Sequence, residues 1–435
     1  MSETSCSLGR VQTPRRGARL WLSAVGMACG LLASGMSVAA DVDDQYRQGL
    51  YLRETGQPYS AIDTLDAVLA ANPSLNRVRL ELAVAYYRTL NYAKAQEHAQ
   101  RVLDDPKTPE AVRLSVLSFL KQIELEQRTS EAQANKIEPA VSVGLFYDSN
   151  VNAGPDTAVL GNGLILNDGS LAKPDWGYVG QASLTHAWQS TAPVRLGERT
   201  ARYGWTSQLS GYQKTYKRYG EFDLGVLSVA TGPTLVIDKL GHANINMQLD
   251  YLTLGGDHLG TFYSLAPSVS TRVGRDGELT VDGQWAYRNF TRAIDEGRRS
   301  HEQAAGLSYG HLFMGGRLAM QAGYKLTHEM AIADRFSSRG DEVFLGGRYR
   351  AWQGGDLFAR ASWRVNDFNG VEPTFDVTRH ELEQRLELGA SHQFQSGWLD
   401  NWQLASTLTR VTNKANLSLY AYTRDTVFFN LGRSF

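Results

Sequence analysis

Ala243-Asn244-Ile245-Asn246-Met247-Gln248-Leu249-Asp250-Tyr251 decides the fold. Its even positions carry amides and a carboxylate, and its odd positions are apolar. A period of two places alternate side chains on opposite faces of a strand. The pattern recurs. Thr280, Asp282, Gln284 and Arg288 alternate with Leu279, Val281, Trp285 and Tyr287. Arg360, Ser362 and Arg364 alternate with Ala359, Ala361, Trp363 and Val365. Glu381, Glu383, Arg385 and Glu387 alternate with Leu382, Leu386 and Leu388, with Gln384 interrupting the apolar face. A soluble sandwich also alternates. Here the apolar faces often end in aromatics, at Tyr203, Trp205, Tyr251, Tyr287, Tyr324, Tyr349 and Trp363. Aromatic strand ends are the girdles of a membrane barrel, whose lumen is polar.

Working outward, the spacing predicts fourteen strands, starting near residues 140, 175, 199, 221, 242, 260, 278, 301, 318, 341, 356, 379, 402 and 420. Short turns at 238–241, 274–277, 314–317 and 353–355 face longer polar connections at 149–174, 291–299, 328–340 and 366–378. An even count puts both barrel ends on one side, which predicts a periplasmic N-terminal segment. Fourteen strands about 4.8 Å apart and tilted about 40° enclose a backbone cylinder roughly 28 Å across, with a lumen of roughly 15 Å if unplugged. Val427, Phe429, Leu431 and Phe435 share one face of the last strand, and Arg433 falls on the same face. Asn430, Gly432 and Phe435 partly match the C-terminal signal read by the barrel-assembly machinery.

The chain before this region reads differently. Arg10, Arg15, Arg16 and Arg19 precede an apolar stretch from Leu20 to about Val38, and Val38-Ala39-Ala40 offers a small-residue cleavage site. Residues 1–40 are therefore read as an export signal. Both cysteines, Cys6 and Cys29, lie within it, so the expected mature chain holds no disulfide or thiolate site. Residues 41–135 are read as helical, from apolar spacings of three and four such as Ala61, Leu65, Val68 and Leu69. A 34-residue period relates Ala61 to Ala95, Leu65 to Ala99 and Val68 to Val102. Gly49 and Ala83 hold the small-residue position where two helices cross. This segment resembles the tetratricopeptide repeat, whose helix pairs bury their apolar faces by stacking. The repeat positions place Tyr46, Arg53, Tyr87 and Arg88 on a concave client-binding surface. Packing of the same residues against a neighbouring helix is the structural alternative. A further helix, Ala111 to Glu126, closes the array.

Composition narrows the function. The chain has 435 residues, 42% hydrophobic, and a net charge of -1. No basic excess points to nucleic acid, and a polytopic helical membrane protein would need repeated apolar runs of about 20 residues. No Walker loop or HExxH is present. Asp148-Ser149-Asn150-Val151-Asn152 lacks the glycine and distal glutamate of a calcium-binding EF-hand loop. No enzyme activity, cofactor or metal is expected. The inward strand faces carry Arg348, Arg350, Arg360, Arg364, Glu381, Glu383, Arg385 and Glu387. They form either a self-neutralising lumen network or a polar track for a substrate.

An export signal, a short helical array and a barrel ending in Phe435, residues 136–435, follow in that order. With Val141–Asn152 (VSVGLFYDSNVN), Phe222–Pro233 (FDLGVLSVATGP) and Leu252–His258 (LTLGGDH), the chain resembles the surface lipoprotein assembly modifier family. The resemblance implies an outer-membrane translocon or assembly factor for lipoproteins or related secreted proteins. It implies periplasmic helices that engage the client or its chaperone, and no catalytic motif. Expected partners are the client, outer-membrane lipids, the barrel-assembly machinery and periplasmic chaperones. A polysaccharide exporter and a passive porin are the alternative readings.

Overall fold

The computed structural model describes residues 34–160 and 163–435. The expected export signal lies outside the described residues apart from 34–40, whose backbone begins the first helix. Among the described residues, five helices come first: α1 (Ser34–Glu54), α2 (Pro58–Ala71), α3 (Asn76–Arg88), α4 (Tyr92–Asp104) and α5 (Glu110–Gln133). Pro58 starts α2, where its missing N–H costs nothing. The Asn91 side chain caps α4 by accepting from the Lys94 N–H at 3.3 Å. α5 runs one turn and more beyond the expected end at Glu126.

Burial in the helical arm follows the 34-residue period. Ala61 and Ala95, Leu65 and Ala99, and Val68 and Val102 are all fully buried. Gly49 allows the α1–α2 crossing, because a Cβ there would stand 2.7 Å from Leu65 Cδ2. Tyr46, Ile62, Leu82, Tyr86 and Ile123 join Leu65 and Val68 in one core, so α5 completes the helical bundle.

Fifteen strands follow: β1 (Asn135–Asp148), β2 (Asp175–Gln189), β3 (Val194–Leu196), β4 (Arg199–Tyr216), β5 (Leu224–Ile237), β6 (Gly241–Leu254), β7 (Asp257–Val273), β8 (Gly277–Phe290), β9 (Ser300–Phe313), β10 (Leu318–Ala331), β11 (Ser338–Trp352), β12 (Gly355–Glu372), β13 (Val377–Gln393), β14 (Trp402–Ala415) and β15 (Tyr422–Ser434). Consecutive strands pair antiparallel except β2 and β3; β2 pairs instead with β4, and β1 pairs with β15. β3 is a short ribbon on β4. The other fourteen close into the expected barrel, which removes every sheet edge along the wall. Both barrel ends and the arm lie at one end, called here the arm end; the opposite end is the loop end.

Two boundary expectations are corrected. β1 begins at Asn135 rather than near 140, pairing there with Trp188. The connections expected at 328–340 and 366–378 shrink to 332–337 and 373–376. His328 pairs with Arg339 and Asp367 with His380, so the ladder continues through sequence that is polar on both faces. Backbone groups still need partners where side chains are wet, so polarity does not end a strand. At Gly255 and Gly256, φ is +63° and +89°, and β6 reverses directly into β7.

Register assigns the faces. Val143 opposes Leu431 and Leu145 opposes Phe429 across the closing seam, all on the outward face. Leu227, Val229, Leu249, Val281, Leu307, Val343, Leu388 and Leu408 continue an exposed apolar surface around the barrel. Near the arm end Trp188, Tyr203, Trp205, Tyr349 and Trp352 share this face, and towards the loop end Tyr147, Trp176, Tyr178, Tyr251, Tyr263 and Tyr287 do. Trp188 and Tyr203 meet edge to face at 5.5 Å, and Tyr147 lies 5.0 Å from Trp176.

Candidate functional site

The lumen wall is built from the other half of each strand. Near the loop end it carries a cluster centred on Asp148, which is fully buried. Arg424 of β15 donates to both Asp148 oxygens, at 2.9 and 2.5 Å. Tyr216 of β4 donates its hydroxyl at 2.7 Å, and Lys214 Nζ donates at 3.2 Å. Lys214 also sits over the rings of Phe146 and Tyr216, 4.5 and 4.6 Å from their centroids. Gly177 makes room for Phe146, since a Cβ there would stand 2.3 Å from that ring. Four consecutive wall strands, β15, β1, β2 and β4, thus share one buried ionic and aromatic knot.

The long connection after β1 is folded onto this knot. Asn150, fully buried, accepts from the Gly154 N–H and donates to the Gly154 carbonyl, both at 2.8 Å. Asn152 donates to the Leu171 carbonyl at 2.9 Å. Asp156 accepts from the Thr423 N–H at 2.8 Å. The oxygen-rich run from Asp148 to Asn152 is therefore committed to loop structure.

Ion pairs continue around the lumen. Arg288 of β8 bridges Glu302 of β9 and Glu329 of β10, the second at 2.9 Å. Arg364 donates to Glu342 at 2.6 Å, and Arg348 to Asp356 at 2.6 Å. Arg385 stands between Glu383 and Glu387, at 3.5 and 3.7 Å. Glu381 meets Arg379 at 3.4 Å. Arg379 lies between the rings of Phe368 and Tyr420, 3.6 and 4.1 Å from their centroids. The Tyr420 hydroxyl, in the last loop, donates to Glu372, and burial followed by that bond pushes its pKa up to about 12. Arg360 rests on the Phe344 ring at 4.1 Å, and Arg350 is exposed at the arm end. A cavity of about 800 Å³ opens between Arg272, Arg348, Arg360 and Glu387. The structure thus places all eight track residues on one curved wall from β11 to β13. Sequence reading missed Glu342 and Asp356, which take two of the arginines, and the whole Asp148 knot. Both depend on neighbours far apart in the chain.

The four arm residues do not share one open surface. Tyr46 is only 6% exposed, and the Arg77 guanidinium covers its ring at 4.0 Å. This corrects its placement on a concave surface, because the ring supplies core packing between helices. Arg53 is paired with Glu81. Tyr87 packs edge to face on Phe119 of α5 at 5.4 Å and accepts from Gln122 at 2.8 Å. Arg88 points to the Arg53 carbonyl at 3.5 Å.

At the seam, Asn430 lies over Gly144, where a Cβ would stand 2.1 Å from Asn430 Oδ1. Gly432 opposes Ser142, and the Phe435 N–H donates to the Pro139 carbonyl at 2.9 Å. Arg433 stacks on the Phe435 ring at 4.8 Å.

The arm meets the barrel through polar groups that sequence reading did not single out. Glu198, between β3 and β4, accepts from the N–H groups of Tyr59 and Ser60 at 3.0 and 3.2 Å. It also accepts from the Ser60 hydroxyl at 2.6 Å. The N-terminus of α2, uncapped by its own chain neighbours, is capped by the barrel. Arg195 of β3 pairs with Asp63 at 2.7 Å and lies 5.0 Å over the Tyr59 ring.

No known family and no curated protein matches this chain. Among solved structures, it is similar to OpdQ of Pseudomonas aeruginosa, with 10% identity over 70% of this chain and 98% of that one, at a TM-score of 0.34. It is also similar to a loop L8 deletion of OmpT, an outer membrane protein of Vibrio cholerae, with 7% identity over 69% and 100%, at a TM-score of 0.40. A third is OpdK of Pseudomonas aeruginosa with vanillate, with 10% identity over 69% and 99%, at a TM-score of 0.34. All three alignments leave about three tenths of this chain uncovered.

Proposed function

We propose that this chain is a non-enzymatic outer-membrane translocon or assembly factor, which promotes surface display of lipoproteins or secretion of related clients. Its barrel spans the outer membrane, with the apolar outward face in lipid and the arm in the periplasm. The observation that carries the reading is the arm held at the barrel mouth by Glu198 and Arg195. A pore for small solutes has no use for a helical module fixed at its entrance. A client captured by the arm would meet a lumen wall of ion pairs and amides that offers hydrogen bonds without an apolar trap. The Asp148 knot and the loop folded onto it brace the wall at the loop end, where β1 and β15 close the barrel.

Deletion of the gene tests this reading. Protease applied to intact cells should leave the client lipoproteins protected in the deletion strain and digest them in the parent. Equal digestion of every surface lipoprotein in both strains overturns it. Steady conductance from the purified protein in planar bilayers, with surface proteins unchanged, would establish the passive porin instead.

A further inference from the structure

We propose that the Arg195–Glu198 ribbon is a releasable dock, and that the arm swings about Ala134 when the dock opens. The covalent link is minimal. α5 ends at Gln133 and β1 begins at Asn135. The Ala134 carbonyl accepts from the Gln189 N–H at 2.8 Å, which fixes the pivot to the barrel. The second attachment is the ribbon on α2, through Glu198 to Tyr59 and Ser60, Arg195 to Asp63, and the Tyr59 hydroxyl to Thr200 at 3.2 Å.

Every one of these contacts is polar or ionic. The Asp63 and Arg195 side chains are 60% and 42% exposed. The two apolar cores of the arm contain arm residues alone, and the barrel cluster around Phe146 contains barrel residues alone. Between pivot and dock a cleft of about 250 Å³ separates Leu90–Ala93, Gln127 and Glu131 from Thr191–Pro193. The two bodies therefore touch without sharing a core. Relative motion is the expected behaviour of such an interface, and exposed ion pairs weaken as salt screens them. Glu198 and Arg195 act as positioning residues, setting where the arm stands over the mouth. The inference rests on the same arm–barrel contacts as the client reading, but the spin-label distances test the dock alone and the gene deletion tests the client reading alone.

Spin labels at Lys121→Cys on α5 and Asp276→Cys on an arm-end turn read that position in the full chain, with Cys6 and Cys29 replaced by serine. At low salt the distance distribution should be narrow, and at 1 M salt it should broaden. The E198A/R195A variant should be broad at both. The exchange of charges in D63R/R195D should restore a narrow, salt-sensitive distance, which a merely destabilised arm would not regain. A wild-type distribution indifferent to salt overturns the dock, as does an E198A/R195A distribution matching wild type. If E198A/R195A fails to fold, the wild-type salt comparison and the charge exchange decide.

Discussion

Asp148 on the first strand and Arg424 on the last are joined by two hydrogen bonds, of 2.9 and 2.5 Å, across the seam that closes the barrel. A single carboxylate there also holds Lys214 and Tyr216. Closure is thus secured by side chains as well as by the β1–β15 ladder. Buried charges are costly alone and tolerable in company, so the group is expected to behave as a unit.

Asp148→Ala leaves the buried Lys214 and the half-buried Arg424 without their carboxylate. Breaking a buried pair in this way costs about 3–5 kcal/mol. The folded barrel should lose its compact band on semi-native gels at a clearly lower temperature than wild type. An unchanged transition would mean that water replaces the carboxylate.

Asn150→Ala removes a buried amide that holds the Gly154 backbone in both directions. Leaving those groups unmet costs about 1–3 kcal/mol. Proteinase K should then cut within residues 153–172 of the detergent-solubilised protein much faster than in wild type, with the barrel core resistant in both.

Gly49→Leu places a side chain where Leu65 already stands, with even a Cβ at 2.7 Å. Overpacking of this kind costs about 1–3 kcal/mol. The helical ellipticity of the full protein should melt earlier, while the barrel transition stays in place.

His98 is buried between α3 and α4, stacked on Tyr86 at 5.4 Å. Burial holds its pKa below the ordinary histidine value, outweighing the pull of Asp66 and Glu97, while Arg79 and Arg101 push the same way as burial. The unfolded arm therefore takes up the proton first. Stability from neutral His98 is present above the unfolded value, near 6.5, and is lost as pH falls below it. Hydrogen exchange in α3 and α4, corrected for its intrinsic rate, should be faster at pH 5.5 than at 7.5. His98→Phe should remove that difference.

Some of this is legible in the sequence alone. Period-two alternation at Ala243–Tyr251 and its repeats marks strands, because a strand has only two faces. The 34-residue recurrence of Ala61, Leu65 and Val68 likewise marks stacked helix pairs, and the same positions are buried. Loop length was less legible. His328, Arg339, Asp367 and His380 are polar, yet they stand in paired strands, since hydrogen bonding to a neighbour leaves no local signature. Tyr46 was read by its place in a repeat, which does not report that Arg77 covers it.

The sequence by itself determined the number of barrel strands, the sidedness of the ends and the division into arm and barrel, since each follows from local periodicity and parity. Only the tertiary structure decided which charges meet. Asp148 finds Arg424 from 276 residues away, and Ser60 finds Glu198 from 138. Those encounters depend on barrel register and on how the arm docks. A one-residue slip in register would turn the same carboxylate from the lumen to the outward face.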